Sequence, residues 1–259
     1  MRVHFPPSYF TNPPHPISVH LIGCGGTGSQ VLNGLARINH TMKALDHPGL
    51  HITAFDPDTV SETNIGRQLF SPIDINQNKA TVLVTRVNNF YGTGWISRPQ
   101  TYTEYIKQQG KSAPYDLANI IITCVDTIAA RRELDGVLIE AERDYTKPYY
   151  WMDFGNSHRS GQVILGTAGN VKQPESKFET VGQLPNLWEQ FPELKGSKEA
   201  DQGPSCSLAQ ALGRQDLFIN SALAQLGCGL LWKLLSDVKI DVRGFFLNLE
   251  TMNVNPIKI

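Results

Sequence analysis

The chain is poor in cysteine, and no two cysteines are spaced as C-x-x-C. The four present, Cys24, Cys124, Cys206 and Cys228, are scattered over 259 residues. That excludes a paired structural zinc site and a disulfide scaffold, and it fits a reducing cytoplasm. Long apolar runs are missing too: none approaches the roughly 20 residues that span a bilayer. Neither sign of charge is in excess. Lys and Arg number 23 against 24 Asp and Glu, for a formal net charge of −1, which removes the electrostatic case for nucleic acid or an anionic membrane. The first sixteen residues have no apolar signal core but carry Pro6, Pro7, Pro13, Pro14 and Pro16. They are expected to form an extended, mobile arm rather than a targeting peptide. Internal repeats and low-complexity tracts are absent. The whole chain is 41% hydrophobic and 18% charged, an ordinary composition for a globular protein.

Periodicity gives the fold class. Ile17 to Ile22 is a short β-branched run ending at glycines, and Leu117 to Val125 contains Ile120, Ile121 and Ile122. Both read as buried parallel strands. His51–Phe55, Trp95–Pro99, Tyr149–Phe154 and Gly161–Thr167 read as further strands. Thr27–Ile38, Lys79–Phe90 and Thr127–Arg143 read as helices between them. Asn39 to Leu50 is expected to be a long connection with a turn at Pro48-Gly49. Strands alternating with helices predict a doubly wound, mostly parallel α/β sheet of Rossmann type, within one domain over residues 17–259. Val171 to Ser205 breaks the pattern with Pro174, Pro185, Pro192 and Pro204, a crossover-type loop too long to be a simple connection. Cys206 to Asp237 is predicted helical with an interruption at Gly227–Gly229. Phe245–Leu249 and Asn253–Ile259 read as a closing hairpin.

The chemistry starts at Gly23-Cys24-Gly25-Gly26-Thr27-Gly28, between a strand and a helix. Gly23, Gly25, Gly26 and Gly28 let the backbone approach a phosphate, and the helix N-terminus favours its charge. Asp56 ends the next strand, where a carboxylate can hold ribose hydroxyls; its plainer reading is a turn residue before Pro57. Asp58 is read as a turn residue or local cap. Asn64, Arg67 and Gln68 follow in a loop. Arg67 is the informative residue of the three, because a guanidinium matches phosphate oxygens in a bidentate way. Lys79 opens the following helix and brings an ammonium toward the same pocket. Asp126 lies at the carboxyl end of the Ile120–Val125 strand, as either a magnesium ligand beside a triphosphate or a helix cap. Cations gathered around phosphate suit an enzyme that moves phosphate charge.

In that order, G-C-G-G-T-G, D-P-D-T-V, N-I-G-R-Q, the lysine before a helix and T-C-V-D-T with Arg131 resemble the ThiF/MoeB/E1 family of ubiquitin-like protein activating enzymes, from about Ile17 to Asp237. The resemblance implies that a small β-grasp protein's C-terminal carboxylate attacks the ATP α-phosphate. Gly26 and its neighbours would then line the phosphates and Asp56 would hold the ribose. Asn64, Arg67 and Lys79 would stabilise the phosphates, with Asp126 organising Mg2+. It also implies a homodimer. Pro204-Ser205-Cys206 resembles the stretch where some relatives carry a catalytic cysteine. Cys206 is read either as an acyl-accepting thiol near a helix N-terminus or as an unreactive helix-start residue. The stretches S-C-S-L-A-Q-A-L-G-R-Q-D-L-F-I-N and R-G-F-F-L-N-L resemble the ThiF-like protein of the plasmid-associated PRTRC gene cluster, which implies a small ubiquitin-like partner encoded nearby. The chain departs from the family in lacking zinc motifs, in the long gap from Gly28 to Asp56, and in having Arg2 as the one arginine of its arm. Two rival readings remain. One is an NAD-dependent oxidoreductase, which leaves Arg67 and Lys79 unexplained. The other is a scaffold that binds nucleotide or partner without turnover.

Overall fold

The fold is that of a computed structural model describing residues 1–109, 117–142, 148–196 and 215–259. Among these the chain runs β1 (Arg2–Val3), β2 (Ile17–Ile22), α1 (Gly26–Ala44), β3 (Leu50–Phe55), α2 (Lys79–Tyr91), β4 (Ile96–Arg98), α3 (Tyr102–Gln109), β5 (Ile120–Thr123) and α4 (Ile128–Glu142). It continues as β6 (Tyr150–Asn156), β7 (Ser160–Thr167), β8 (Glu179–Thr180), α5 (Leu187–Gln190), α6 (Ile219–Ser236), β9 (Val242–Asn248) and β10 (Asn253–Lys258).

Eight strands form one sheet in the order β10-β9-β7-β6-β5-β2-β3-β4. From β6 to β4 the pairings are parallel. β7, β9 and β10 extend the sheet antiparallel. This is the doubly wound, mostly parallel α/β fold the periodicity predicts. β2 and β5 are buried on both faces, which is why their sequences run apolar instead of alternating. On one face Val19, Leu21, Ile120 and Ile122 pack with residues of α1, α2 and α6, among them Leu35, Val84 and Leu231. On the other, Ile121 packs with Ile106 of α3, Leu134 of α4 and Trp188 of α5.

Several expectations are corrected. The helix after the glycines continues to Ala44, 19 residues in all. The first half of the expected connection is therefore helix, and this accounts for the wide gap between Gly28 and Asp56. Burial of Met42 and the bond from the Leu50 N–H to Asn39 Oδ1 (2.8 Å) hold the extra turns against the sheet. α6 runs unbroken through Gly227 and Gly229. Gly227 lies against the Phe154 ring and Gly34 of α1 against Cys228, so these glycines bring α6 close to its neighbours instead of ending it. The described part of the proline-rich stretch is also ordered by packing. Asn186 and Glu189 form a reciprocal cap on α5, Trp188 is buried against Trp151, and Phe191 meets Phe246 edge-on. Both aromatics thus pin the segment down, one of the two roles open to them from sequence.

Residues 1–16 are not a free arm. β1 pairs in parallel with β8, His4 bridges to Ile240, and Phe10 is buried beside Tyr149 and Tyr150. His4 is fully buried. The Val181 carbonyl 2.6 Å from Nδ1 can only accept, so Nδ1 carries the proton and Nε2 accepts from the Tyr150 hydroxyl at 2.7 Å. Burial lowers the His4 pKa, with the Val181 bond opposing it. The folded protein therefore binds this proton less readily than the unfolded chain does. Stability from the neutral ring is complete above the ordinary histidine value of about 6.5 and is lost as pH falls below it. The thermal midpoint is expected to drop between pH 7 and pH 5, and His4→Gln to flatten that slope in a melting series. Equal slopes for both proteins would remove His4 as the cause.

Candidate functional site

The site lies where the chain leaves β2, whose neighbours β5 and β3 are reached in opposite directions. This topological switch point leaves a crevice at the carboxyl ends of the strands. Gly23 has φ +90, and a Cβ there would stand 2.7 Å from the Cys124 carbonyl oxygen. A Cβ at Gly28 would run into the Gly23 carbonyl oxygen. Only glycine makes this turn, and the turn aims the start of α1 outward. Gly25 faces open space, and α1 has no side-chain cap on its first turn. Exposed backbone amides at a helix start fit a phosphate group.

Asp56, at the end of β3, is 5% exposed. One oxygen accepts from the Cys24 N–H at 2.6 Å and the other from the Asp58 N–H at 2.9 Å. The carboxylate thus ties the glycine loop to the Asp-Pro-Asp turn. Burial pushes its pKa up, while Lys79 and the two amides pull it down. Asn78 caps α2 through the Thr81 N–H and donates to the Asp56 and Asp58 carbonyls. That places Lys79, the first residue of α2, over the turn. Its ammonium is buried and meets Asp58 Oδ2 at 2.8 Å. Asp58, read from sequence as a turn residue, therefore also holds the ammonium.

Asn64 is buried and caps its own short turn, accepting from the Ser61 N–H at 2.9 Å. The structure thus uses its amide oxygen to shape the loop that carries Arg67. Arg67 donates to the Thr63 carbonyl (3.3 Å) and to Gln215 Oε1 (3.2 Å). Burial pulls its pKa down and the charge of Asp126 opposes this, so the two charges lie near each other and the guanidinium stays cationic. Gln68 is buried and its Oε1 has no hydrogen-bond partner among the described residues. Asp126 is exposed at the end of β5. The Thr127 hydroxyl, and not Asp126, accepts the Ala130 N–H at 3.2 Å, so the cap that sequence offered as Asp126's plainer role falls to its neighbour. No group of three metal-ligating side chains occurs among the described residues. Cys206 lies outside them. Burial raises the thiols of Cys24 and Cys124 well above their ordinary value and that of Cys228 to about 12, leaving them unreactive.

Two polar clusters here had no role assigned from sequence, where Arg131 entered only as part of the family pattern. Arg131 of α4 donates to Asp153 Oδ1 (2.8 Å) and to the carbonyls of Val125 (2.7 Å), Thr127 (3.2 Å) and Phe154 (2.9 Å). It grips the backbone on both sides of Asp126. Asn220, in the first turn of α6, is 3% exposed; its oxygen accepts from Thr27 Oγ1 (2.8 Å) and Asn156 Nδ2 (2.9 Å). In sequence it is the last residue of the stretch S-C-S-L-A-Q-A-L-G-R-Q-D-L-F-I-N, at the start of a mostly apolar helix.

With the geometry in hand, likenesses to known proteins can be placed. No curated protein matches the chain. Among solved structures it is similar to PaaA, with 14% identity and TM-score 0.59 over 94% of this chain and 64% of that one. It is similar to E. coli MccB with MccA (17%, TM-score 0.56, covering 93% and 63%) and to E. coli MccB with ATP (17%, TM-score 0.56, covering 93% and 63%). At such identities the likeness is one of fold, and the chain spans under two thirds of the length of these structures. The ThiF family matches residues 15–257, from the foot of β2 to the end of β10. The glycine turn at the switch point, the cations around it and this match over nearly the whole chain lead to one conclusion: the protein belongs to the ThiF family.

Proposed function

We propose that the protein catalyses ATP-dependent adenylation of the C-terminal carboxylate of a peptide or small protein. The observation that carries this reading is the pair of cations, buried Lys79 and half-buried Arg67, beside a glycine loop whose Gly25 opens onto space. A carboxylate oxygen attacks the α-phosphorus, the bond from that phosphorus to the bridging oxygen breaks, and pyrophosphate leaves with the electron pair. The charge that shifts toward pyrophosphate is met by Arg67 and Lys79, already held by Gln215 and Asp58 and needing little reorganisation. Asp126 would hold Mg2+, whose other ligands come from phosphate and water, since the described residues offer no larger cluster. Asp56 would take the ribose through lone pairs left over from its two backbone bonds.

The carboxylate donor in this reading is a small ubiquitin-like β-grasp protein, as the PRTRC resemblance implies. The similar MccB structures contain MccA or ATP, which accords with a nucleotide and a separate carboxylate donor. A second step follows at Cys206: its thiolate attacks the acyl carbon of the adenylate, and AMP departs as the thioester forms. A homodimer completes the reading. Its support is an apolar groove of about 620 Å³ between α1 and α2, lined by Leu32, Leu69, Leu83, Val87 and Phe90, with Phe90 81% exposed. No described helix is long and apolar enough to cross a membrane.

Calorimetry is expected to show Mg-ATP binding that weakens roughly 10- to 100-fold in Arg67→Ala, the loss of a charged hydrogen bond, with NAD silent. NAD binding that ignores Arg67 would return the chain to the oxidoreductases, and ATP binding without pyrophosphate exchange alongside the partner would make it a scaffold. Cys206→Ser should keep the exchange and lose the thiol-sensitive partner adduct on a gel; an adduct that persists removes the second step. In sedimentation the wild type should run as a dimer and Phe90→Arg as a monomer, and a wild-type monomer at micromolar concentration sinks the dimer.

A further inference from the structure

Asn220 and Gln215 fall in the quoted stretch S-C-S-L-A-Q-A-L-G-R-Q-D-L-F-I-N without a role assigned to them, yet both touch the candidate site. The Asn220 oxygen takes the Thr27 hydroxyl of the glycine loop, and its nitrogen donates to Gln215 Oε1 at 3.3 Å. The same Gln215 oxygen accepts from Arg67 Nη1 at 3.2 Å. Gly26 lies directly under the Asn220 amide, with no room there for a side chain. A continuous path of polar contacts thus runs from the phosphate loop through the start of α6 to the guanidinium. The site-facing ends of the path are separate in sequence, and among the described residues nothing else in the hydrogen bonds of Arg67 reaches the glycine loop: its other partner there is Thr63, on its own loop.

We propose that Asn220 is a positioning residue for the nucleotide site: it fixes Thr27 and, through Gln215, fixes Arg67, so that phosphate loop and cation stand at a set separation before the nucleotide arrives. A buried amide with its oxygen and nitrogen both bonded has one orientation, and a guanidinium held at Nη1 and Nε cannot swing toward solvent. Gln215 is the adjustable link, since its single oxygen serves both neighbours. The inference rests on the nucleotide-binding reading above and adds the residues that set its geometry.

The test is calorimetric binding of Mg-ATP and of adenosine to the full chain as wild type, Asn220→Ala, Gln215→Ala, Arg67→Ala and the Asn220/Arg67 double variant. Asn220→Ala should weaken Mg-ATP about tenfold, the usual effect of stranding one buried polar partner, and leave adenosine affinity unchanged. In the Arg67→Ala background the same substitution should cost less than about threefold, because contacting residues in one network are not additive. Asn220→Asp, which keeps the bonds to Thr27 and Asn156 but loses the donor to Gln215, and Gln215→Ala cover the case in which Asn220→Ala fails to fold; each should weaken Mg-ATP in the wild-type background alone. An equal loss in both backgrounds, or an equal loss for adenosine, means general damage and overturns the positioning role. Wild-type binding matched by all the Asn220 and Gln215 variants overturns this role and leaves the proposed function standing. Wild type that binds no Mg-ATP overturns the proposed function, and this inference with it.

Discussion

The backbone turn from Gly23 to Gly28 tolerates no side chain at either end, and the site is arranged around it. Gly23 sits against the Cys124 carbonyl of the neighbouring strand, and Gly28 against the carbonyl of Gly23 itself. That packing seats α1 at the switch between β2 and β5 and turns its uncapped first amides toward the crevice. The Gly23 N–H donates to the Phe55 carbonyl at 2.9 Å, so the end of β3 is fixed to the same turn. Asp56 follows at once and returns a bond to Cys24. Strand, loop and carboxylate therefore share one geometry.

Around this turn, charge is held by bonding instead of being left to solvent. Arg131 and Asp153 form a buried ion pair in which Thr123 adds a second bond to Asp153 Oδ1 at 2.6 Å, and the Trp151 ring nitrogen donates to the Thr123 hydroxyl. A buried pair of this kind stabilises little by itself, but losing one partner costs about 3–5 kcal/mol because a bare charge remains. Its location argues for a local purpose, since it seals the ends of β5 and β6 and holds the backbone that presents Asp126. Lys79 and Arg67, by contrast, meet an exposed carboxylate and a half-buried amide. The Arg131–Asp153 pair is the more deeply buried of these charges.

Much of the fold was legible because it depends on local pattern. The Ile-rich β2 and β5 read as buried strands, and the glycines between strand and helix marked the loop. The extent of α1 was not, because Asn39 to Ala44 is weakly apolar and is held as helix by long-range contacts such as Asn39 to Leu50. The first sixteen residues suggested a free arm because proline counts say nothing about Phe10 and His4 finding partners beyond residue 148. The same limit applies to the site. Asp56, Arg67 and Lys79 fall in motif order within one stretch and could be read. Asn220 and Gln215 reach the site only through the return of α6 along α1, and no spacing rule connects them to it. Glycines misled in the opposite direction: Gly227 and Gly229 signal a helix break locally, while close contact with Phe154 makes use of the first.

The bond from Thr27 to Asn220 joins residues 193 positions apart. On a ribosome the glycine loop emerges early and α6 near the end. Contacts of such separation carry a large loop-closure cost and form late. A nascent chain can pair β2 with β3 long before it owns the residue bonded to Thr27. On the positioning role proposed for Asn220, competence to hold nucleotide waits on that late contact, and a chain cut short before α6 carries the visible motif without its partner.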